Sequence, residues 1–382
     1  MSLAGIAPPD YDGGSLVSVL PAVAASLGSP TYAASAHPFD LQPTPRAVVV
    51  LVDGLGYELL RQRSGHAPFL RSHLPAAHRI DCGFPTTTAT SMGSFGTGLP
   101  PGGHGLVGFE VLVPGEDRLL NELSWENGPD PFTWQPARTV FQVVHAEGID
   151  VTRVGPGYFD GSGLTNAALR GGAFRAGREL DARIDLTVSA VRATPRALVY
   201  LYWGDLDKVG HVHGCASWEW GDELESIDRA LSRLVERVPD DTAVYVTADH
   251  GMVDAPHALR VDLAHDPELT HGVRHVGGEP RSLQLYCQEG AAADVLQTWE
   301  QRMGSRAWVA SGDTVVDEGW FGPVRPEVRA RIGDVLVLMK DNFAVVETGR
   351  TRPEVLALRG LHGSVTADER AIPFVRIAAR NA

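Results

Sequence analysis

Three carboxylates and three imidazoles in this sequence have spacings that suit metal chemistry. Asp207-Lys208-Val209-Gly210-His211 puts a carboxylate and an imidazole four residues apart. Both can meet one cation at that spacing, across a helical turn or from a loop, and Gly210 favours the loop. Thr247-Ala248-Asp249-His250-Gly251-Met252 sets both ligand types side by side. Neighbours on an extended strand point to opposite faces, so Asp249 and His250 share a site only if the chain turns, which Gly251 permits. Asp53-Gly54 adds a third carboxylate, and Gly360-Leu361-His362-Gly363-Ser364 adds a third imidazole in a glycine-bracketed loop. Six mixed oxygen and nitrogen ligands are too many for one tetrahedral ion and suit two. Zinc fits this donor set, with manganese or iron also admitted. Two cations about 3.5–4 Å apart clamp the attacking and leaving oxygens of an in-line displacement at phosphorus.

A nucleophile is available in Phe84-Pro85-Thr86-Thr87-Thr88-Ala89-Thr90-Ser91-Met92. Pro85 can start a turn, and a helix is expected to begin within Ala89–Thr97. A hydroxyl at a helix N-terminus sits where backbone N–H groups and the dipole favour an anion, whether alkoxide or phosphoryl oxygen. Threonine is a weak nucleophile that metal coordination activates. The plainer reading of a Thr/Ser cluster is that it caps the helix.

These groups need a scaffold that brings them together. Ala47–Val52 is a continuous apolar run rich in β-branched residues, as in a parallel strand buried on both faces. Ala197–Trp203 and Thr242–Ala248 read the same way, and Val335–Met339 does so more weakly. Helical patterns lie between them. Thr139–Glu147 ends at Gly148, and Leu224, Ile227, Leu231, Leu234 and Val238 form one apolar stripe stopped by Pro239. This alternation predicts an α/β three-layer sandwich around a mostly parallel sheet. Asp53, the pair Asp205 and Asp207, and Asp249 with His250 each follow a predicted strand, where ligands gather in such sheets. A strand-end Asp also serves as a helix N-cap. Residues 255–333 have shorter segments, such as Ser282–Cys287 and a helix near Ala291–Met303. They are expected to form an inserted cap subdomain, leaving 1–254 and 334–382 as the catalytic core.

The set resembles the nucleotide pyrophosphatase/phosphodiesterase branch of the alkaline phosphatase superfamily. The resemblance is carried, in the family's order, by the apolar strand into Asp53-Gly54, by Pro85-Thr-Thr-Thr88, by Asp207-x-x-Gly-His211-x-x-Gly214, and by Asp249-His250-Gly251 with a late His362-Gly363. It implies one zinc held by Asp53, Asp249, His250 and the nucleophile Thr88, and a second held by Asp207, His211 and His362. It also implies hydrolysis of phosphodiesters or nucleotide-like pyrophosphates through a phosphothreonine. Thr88 follows from its place after Pro85, with Thr86, Thr87 and Thr90 as alternatives. Asp205 competes with Asp207, and the spacing to His211 favours Asp207. The family's Pro-Asn after the nucleophile is replaced here by Thr90-Ser91, which leaves the non-metal half of the oxyanion site open. A phosphomonoesterase, phosphonate hydrolase or phosphomutase of the same superfamily is the nearest rival. A non-catalytic binding protein of the same fold is a remote one. Cys82-Gly83-Phe84-Pro85-Thr86 lacks the Cys-x-Pro-x-Arg spacing of a sulfatase.

Bulk properties narrow the partners. The 382 residues carry a formal net charge of -14, a poor match for nucleic-acid polymers or anionic membranes. A small phosphoester remains accessible if cations supply local positive charge. Cys82, Cys215 and Cys287 are too few and too scattered for a disulfide framework or a cysteine zinc site, and a reducing, cytoplasmic setting is expected. No apolar run has the length of a membrane span. Ser15–Leu27 is apolar but follows no basic stretch, so it is not expected to be a secretory signal.

Overall fold

The computed structural model describes residues 3, 5–33 and 38–377. Its first helix, α1 (Val19–Ser26), buries the apolar segment that follows Ser15 in the main core. The central sheet is built from β1 (Arg46–Val52), β2 (His78–Asp81), β3 (Asp150–Gly155), β4 (Ala173–Ala176), β5 (Ala197–Trp203), β6 (Thr242–Thr247) and a final strand, Ala371–Ile377. Its order is β2, final strand, β6, β1, β5, β3, β4. The pairs β6–β1, β1–β5, β5–β3 and β3–β4 are parallel, and the final strand runs antiparallel to both β2 and β6. β1, β5 and β6 are buried almost throughout, as their unbroken apolar runs require.

Helices cover both faces. Tyr200 of β5 meets Phe95 of α2 (Thr88–Thr97) and Phe141 of α3 (Val140–Ala146). On the other face, Trp203 lies under Arg183 of α4 (Leu180–Ala193), and its Nε1 donates to Glu223. Glu223 belongs to α6 (Trp218–Arg237), which follows α5 (Asp205–His213). The expected three-layer α/β sandwich is therefore present. The expected helix at Thr139–Glu147 is α3, with Thr139 in a capping box and Gly148 at φ +82°. The apolar stripe from Leu224 lies on the buried face of α6.

A second, antiparallel sheet comprises β7 (Val273–Glu279), β8 (Ser282–Cys287), β9 (Ala307–Ser311) and β10 (Val335–Met339). Together with α7 (Ala292–Met303) it has its own apolar core. The sequence grouped Val335–Met339 with the parallel strands, but it is a central strand of this small sheet. A strand covered on both faces is uniformly apolar in either setting, so composition does not reveal its partners. The small sheet thus extends beyond residue 333, into the stretch assigned to the core. Among the described residues no helix is long and apolar enough to cross a membrane.

A buried ion pair ties the turn between β7 and β8 to the short helix Ala367–Arg370 before the final strand. Arg281, between β7 and β8, donates to both carboxylate oxygens of Glu369 at 2.7 and 2.8 Å, with both side chains fully buried. Glu369 also accepts from the Ser364 N–H, two residues beyond His362. Arg281→Met strands an unpaired buried carboxylate and is expected to cost about 3–5 kcal/mol in urea unfolding. Arg281→Met combined with Glu369→Leu is expected to recover most of that loss.

Candidate metal centre and active site

The carboxyl ends of β1, β5 and β6 converge on one buried centre. Asp53 follows β1, and its Oδ2 accepts a hydrogen bond from Tyr202 of β5. Asp249 and His250 follow β6, and the chain does turn there: His250 Nε2 lies 3.5 Å from Asp249 Oδ2 and 3.5 Å from Asp53 Oδ1. Gly251 is required for space rather than for a special backbone angle. A Cβ there would lie 1.9 Å from the Asp368 carbonyl oxygen.

Asp207 and His211 lie one turn apart on α5, with Oδ2 and Nε2 separated by 3.3 Å. The helix corrects the loop that Gly210 suggested. Gly210 serves close packing instead, since a Cβ would sit 2.7 Å from Met252 Sδ. His362 Nε2 is 4.0 Å from Asp207 Oδ1, and the His362 ring stacks on His250 at 3.8 Å between centroids. Asp205 instead pairs with Lys208 at 2.7 Å on the exposed side of α5.

Thr88 opens α2, and its Oγ1 lies 3.2 Å from His250 Nε2. The other hydroxyls are committed or out of reach. Thr86 donates to the Ser364 carbonyl, Thr87 engages Glu279, and the Thr90 hydroxyl is buried without a partner. Thr87 is the N-cap of α2 but makes no side-chain cap bond, so no capping side chain covers the first-turn N–H groups beside Thr88. Ser91 donates to the Asp249 carbonyl at 2.7 Å. It therefore braces the loop that carries Asp249 and is not free for another oxygen.

Each imidazole is held the same way. Nδ1 of His211, His250 and His362 faces the carbonyl oxygen of Gly360, Gly251 and Thr86, at 2.7, 3.0 and 2.9 Å. A carbonyl only accepts, so each Nδ1 carries a proton, and Nε2 is the atom that each imidazole offers as a ligand when neutral. This is the arrangement that outer partners impose on metal-ligating histidines. The carboxylates match them: Asp53 Oδ1, Asp207 Oδ1 and Asp249 Oδ2 are buried with no hydrogen-bond partner. Donor atoms of Asp53, Asp249 and His250 lie within 4.8 Å of one another, as do those of Asp207, His250 and His362. His211 lies outside these two groups and joins them through Asp207, 3.3 Å from its Nε2, and Thr88 joins through His250; the orphaned oxygens fit divalent cations.

The charge balance points the same way. Burial, then the Asp249 and Asp207 carboxylates, hold Asp53 well above the usual carboxylate range. Burial raises Asp249 too, against the pull of His250. Burial opposes the charge on Asp207, but the surrounding imidazoles, His211 foremost, outweigh it and hold it below its ordinary value. Burial acts to lower His211, yet Asp207 pushes it up to about 9. Burial, with His250 beside it, holds His362 well below its ordinary value.

Two contributors were not singled out from the sequence. Tyr202 was legible in principle, because it lies two residues from Tyr200 on the same face of β5. Glu279 gave no signal. It ends β7 in the stretch read as a cap, and its Oε2 lies 3.3 Å from His362 Nδ1. Of the tryptophans near the motifs, Trp203 and Trp220 are buried in the core and Trp218 is exposed. Asp53, Thr88, Asp207 and His211 line a cavity of about 470 Å³ together with apolar residues such as Met92, Leu123, Phe159 and Leu164.

Mouse and human ectonucleotide pyrophosphatase/phosphodiesterase 5 share this fold, with TM-scores of 0.71 and 0.70 at 16% identity over 87% of this chain and 88% of theirs. The mouse structure is an inactive variant in complex with AMP. A phosphopentomutase of Anaeromyxobacter dehalogenans is 29% identical over 163 residues, 41% of this chain and 39% of that protein. Residues 47–365 match the family model for type I phosphodiesterase / nucleotide pyrophosphatase, from the first residues of β1 to just past His362, and the chain belongs to that family.

Proposed function

We propose that this chain is a two-metal phosphoester hydrolase that acts on phosphodiesters or nucleotide-like pyrophosphates through a phosphothreonine. The observation that carries this reading is the convergence of three imidazole Nε2 atoms and three orphaned carboxylate oxygens beside Thr88 Oγ1, at the inner end of a cavity. Family membership supports it. Asp53, Asp249, His250 and Thr88 would hold one cation, and Asp207, His211 and His362 the other. Zinc suits this set best. Such cations, when bound, neutralise charge on the phosphoryl group and lower the pKa of a coordinated hydroxyl or water.

The chain's own residues do the rest. Thr88 Oγ1 adds to phosphorus as the bond to the leaving oxygen breaks, and the α2 N-terminus favours the negative charge on the transferring group. With a diester the phosphothreonine keeps the second ester group; water then adds to its phosphorus, the Thr88 oxygen leaves with a proton, and the phosphomonoester is released. Tyr202 fixes the orientation of Asp53, and the Gly360, Gly251 and Thr86 carbonyls fix the three imidazoles. The same cavity is lined by Met92, Leu123, Phe159, Leu164 and Phe174, which gives room for an organic ester group. That favours diesters over monoesters.

A panel assayed with zinc-loaded protein tests this: an aryl diester, an aryl monoester, a nucleotide sugar and a dinucleotide. Turnover is expected to be highest for a diester or a pyrophosphate. Turnover of the monoester alone points to the phosphomonoesterase rival. No turnover of any member by protein that holds its metals points to a binding protein.

A further inference from the structure

The wall of the active-site cavity contains one cation with no carboxylate at ion-pair distance among the described residues. Phe174 of β4, Arg153 of β3 and Tyr200 of β5 are cross-strand partners, and all three line the cavity. They form one row on the face that bears α2. The Arg153 guanidinium lies over the Phe174 ring, 5.5 Å from its centroid. Its Nε is buried with no hydrogen-bond partner. Among the described residues no carboxylate comes within salt-bridge distance of it. Burial lowers its pKa, opposed by the carboxylate of Asp160, at an exposed turn and beyond ion-pair distance.

The neighbours make this costly. Met92, Leu164, Leu169, Phe159 and Phe174 line the same space. An unpaired guanidinium beside apolar surface loses hydration without gaining a partner. Phe174 offers its ring face, and the part-buried Arg153 makes no side-chain hydrogen bond among the described residues. Its N–H donors match a planar or tetrahedral oxyanion. Lys208, the other cation at the cavity, is already paired with Asp205. β3 lies two strand spacings from β1, so Arg153 sits roughly 10 Å across the sheet from the strand that carries Asp53. A substituted aryl or nucleoside-sized group spans such a distance.

We propose that Arg153 is a specificity-determining residue, and that the preferred substrate is a phosphoester whose apolar or aromatic substituent ends in a second oxyanion, a carboxylate or a phosphate. The proposal rests on the reading of Thr88 and its six neighbours as the reaction centre. The substituent lies along the apolar wall, with its terminal oxyanion against the Arg153 N–H groups.

The test compares 4-nitrophenyl phosphodiesters whose second ester group is phenyl, 4-carboxyphenyl, 4-(carboxymethyl)phenyl or 4-phosphophenyl. The zinc-loaded protein is expected to prefer at least one anionic member over the phenyl ester by roughly tenfold or more in kcat/KM. The carboxylate and phosphate arms show which oxyanion is read. Arg153→Met is expected to remove the preference while leaving the phenyl ester within about twofold of wild type. Arg153→Lys, which keeps the charge but not the fork, is expected to retain only part of it. Absence of any preference in the wild type, or its survival in Arg153→Met, overturns the proposal.

A second readout does not need turnover. Dissociation constants of phenylphosphonate and the matching anion-bearing phosphonates, measured by calorimetry, should show the same Arg153-dependent difference. If no diester is hydrolysed but this difference appears, the reaction centre is misassigned and the substrate proposal falls with it, leaving Arg153 as an anion-binding residue only. If hydrolysis proceeds and the difference is missing in both assays, the role of Arg153 is wrong and the reaction centre stands.

Discussion

Thr88→Ala is expected to lower kcat/KM for a phosphodiester by on the order of 10³-fold or more, with little change in stability. The structure separates these two effects. Thr88 is only half-buried, and its hydroxyl makes one contact, to His250 Nε2 at 3.2 Å. Loss of that contact is expected to change unfolding by less than about 0.5 kcal/mol. The first turn of α2 keeps its N–H groups, and the six other ligands keep their places. Thr88→Ser preserves the oxygen and is expected to retain part of the activity. Phosphorylated enzyme trapped at low pH should carry its label on residue 88, and Thr88→Ala should trap none. A Thr88→Ala protein within tenfold of wild type would move the nucleophile elsewhere. Thr90 is the next hydroxyl along α2, although it is fully buried.

Metal removal is expected to have the second large effect, with a pH dependence of known sign. Without cations, the raised values of Asp53 and Asp249 mean that the native state holds more protons than the unfolded chain above their ordinary value of 3.8. Their contribution to stability is full below that pH and is lost as pH rises through the raised values. His211, pushed up to about 9, likewise favours its protonated form in the metal-free protein. Cations need ionised carboxylates and neutral imidazoles, so binding releases protons and tightens as pH rises. Zinc should therefore raise the unfolding temperature, and by more at pH 8 than at pH 5.5. At a thousandfold excess over its dissociation constant, one site gains about 4 kcal/mol. Chelation should abolish turnover, and zinc should restore it. Asp207→Ala and His362→Ala should each lower metal content, whereas Asp205→Ala should not. A zinc effect that shrinks with rising pH, or unchanged metal content in both variants, would count against the ligand map.

Much of the site was legible because its ligands follow buried parallel strands, whose apolar runs are easy to read. Asp53, Asp249 and His250 each sit just past such a run, and the spacing from Asp207 to His211 names its own partner. The backbone around them was less legible. Gly210 suggested a loop, yet α5 continues through it, because the residue is needed for contact with Met252 rather than for a turn. Val335–Met339 looked like a core strand because burial on both faces leaves no periodicity to show which sheet a strand joins. Glu279 and Arg153 were out of reach for a different reason. Each lies in a segment with no ligand motif, and its importance comes from what folding sets beside it: His362 in one case, an apolar wall in the other.

The most direct test of the central claim is a crystal structure of the zinc-loaded protein, with anomalous scattering recorded at the zinc edge. Two peaks roughly 4 Å apart are expected. One should touch Asp53, Asp249, His250 and Thr88, and the other Asp207, His211 and His362. A single peak, or zinc bound away from Thr88, would contradict the account.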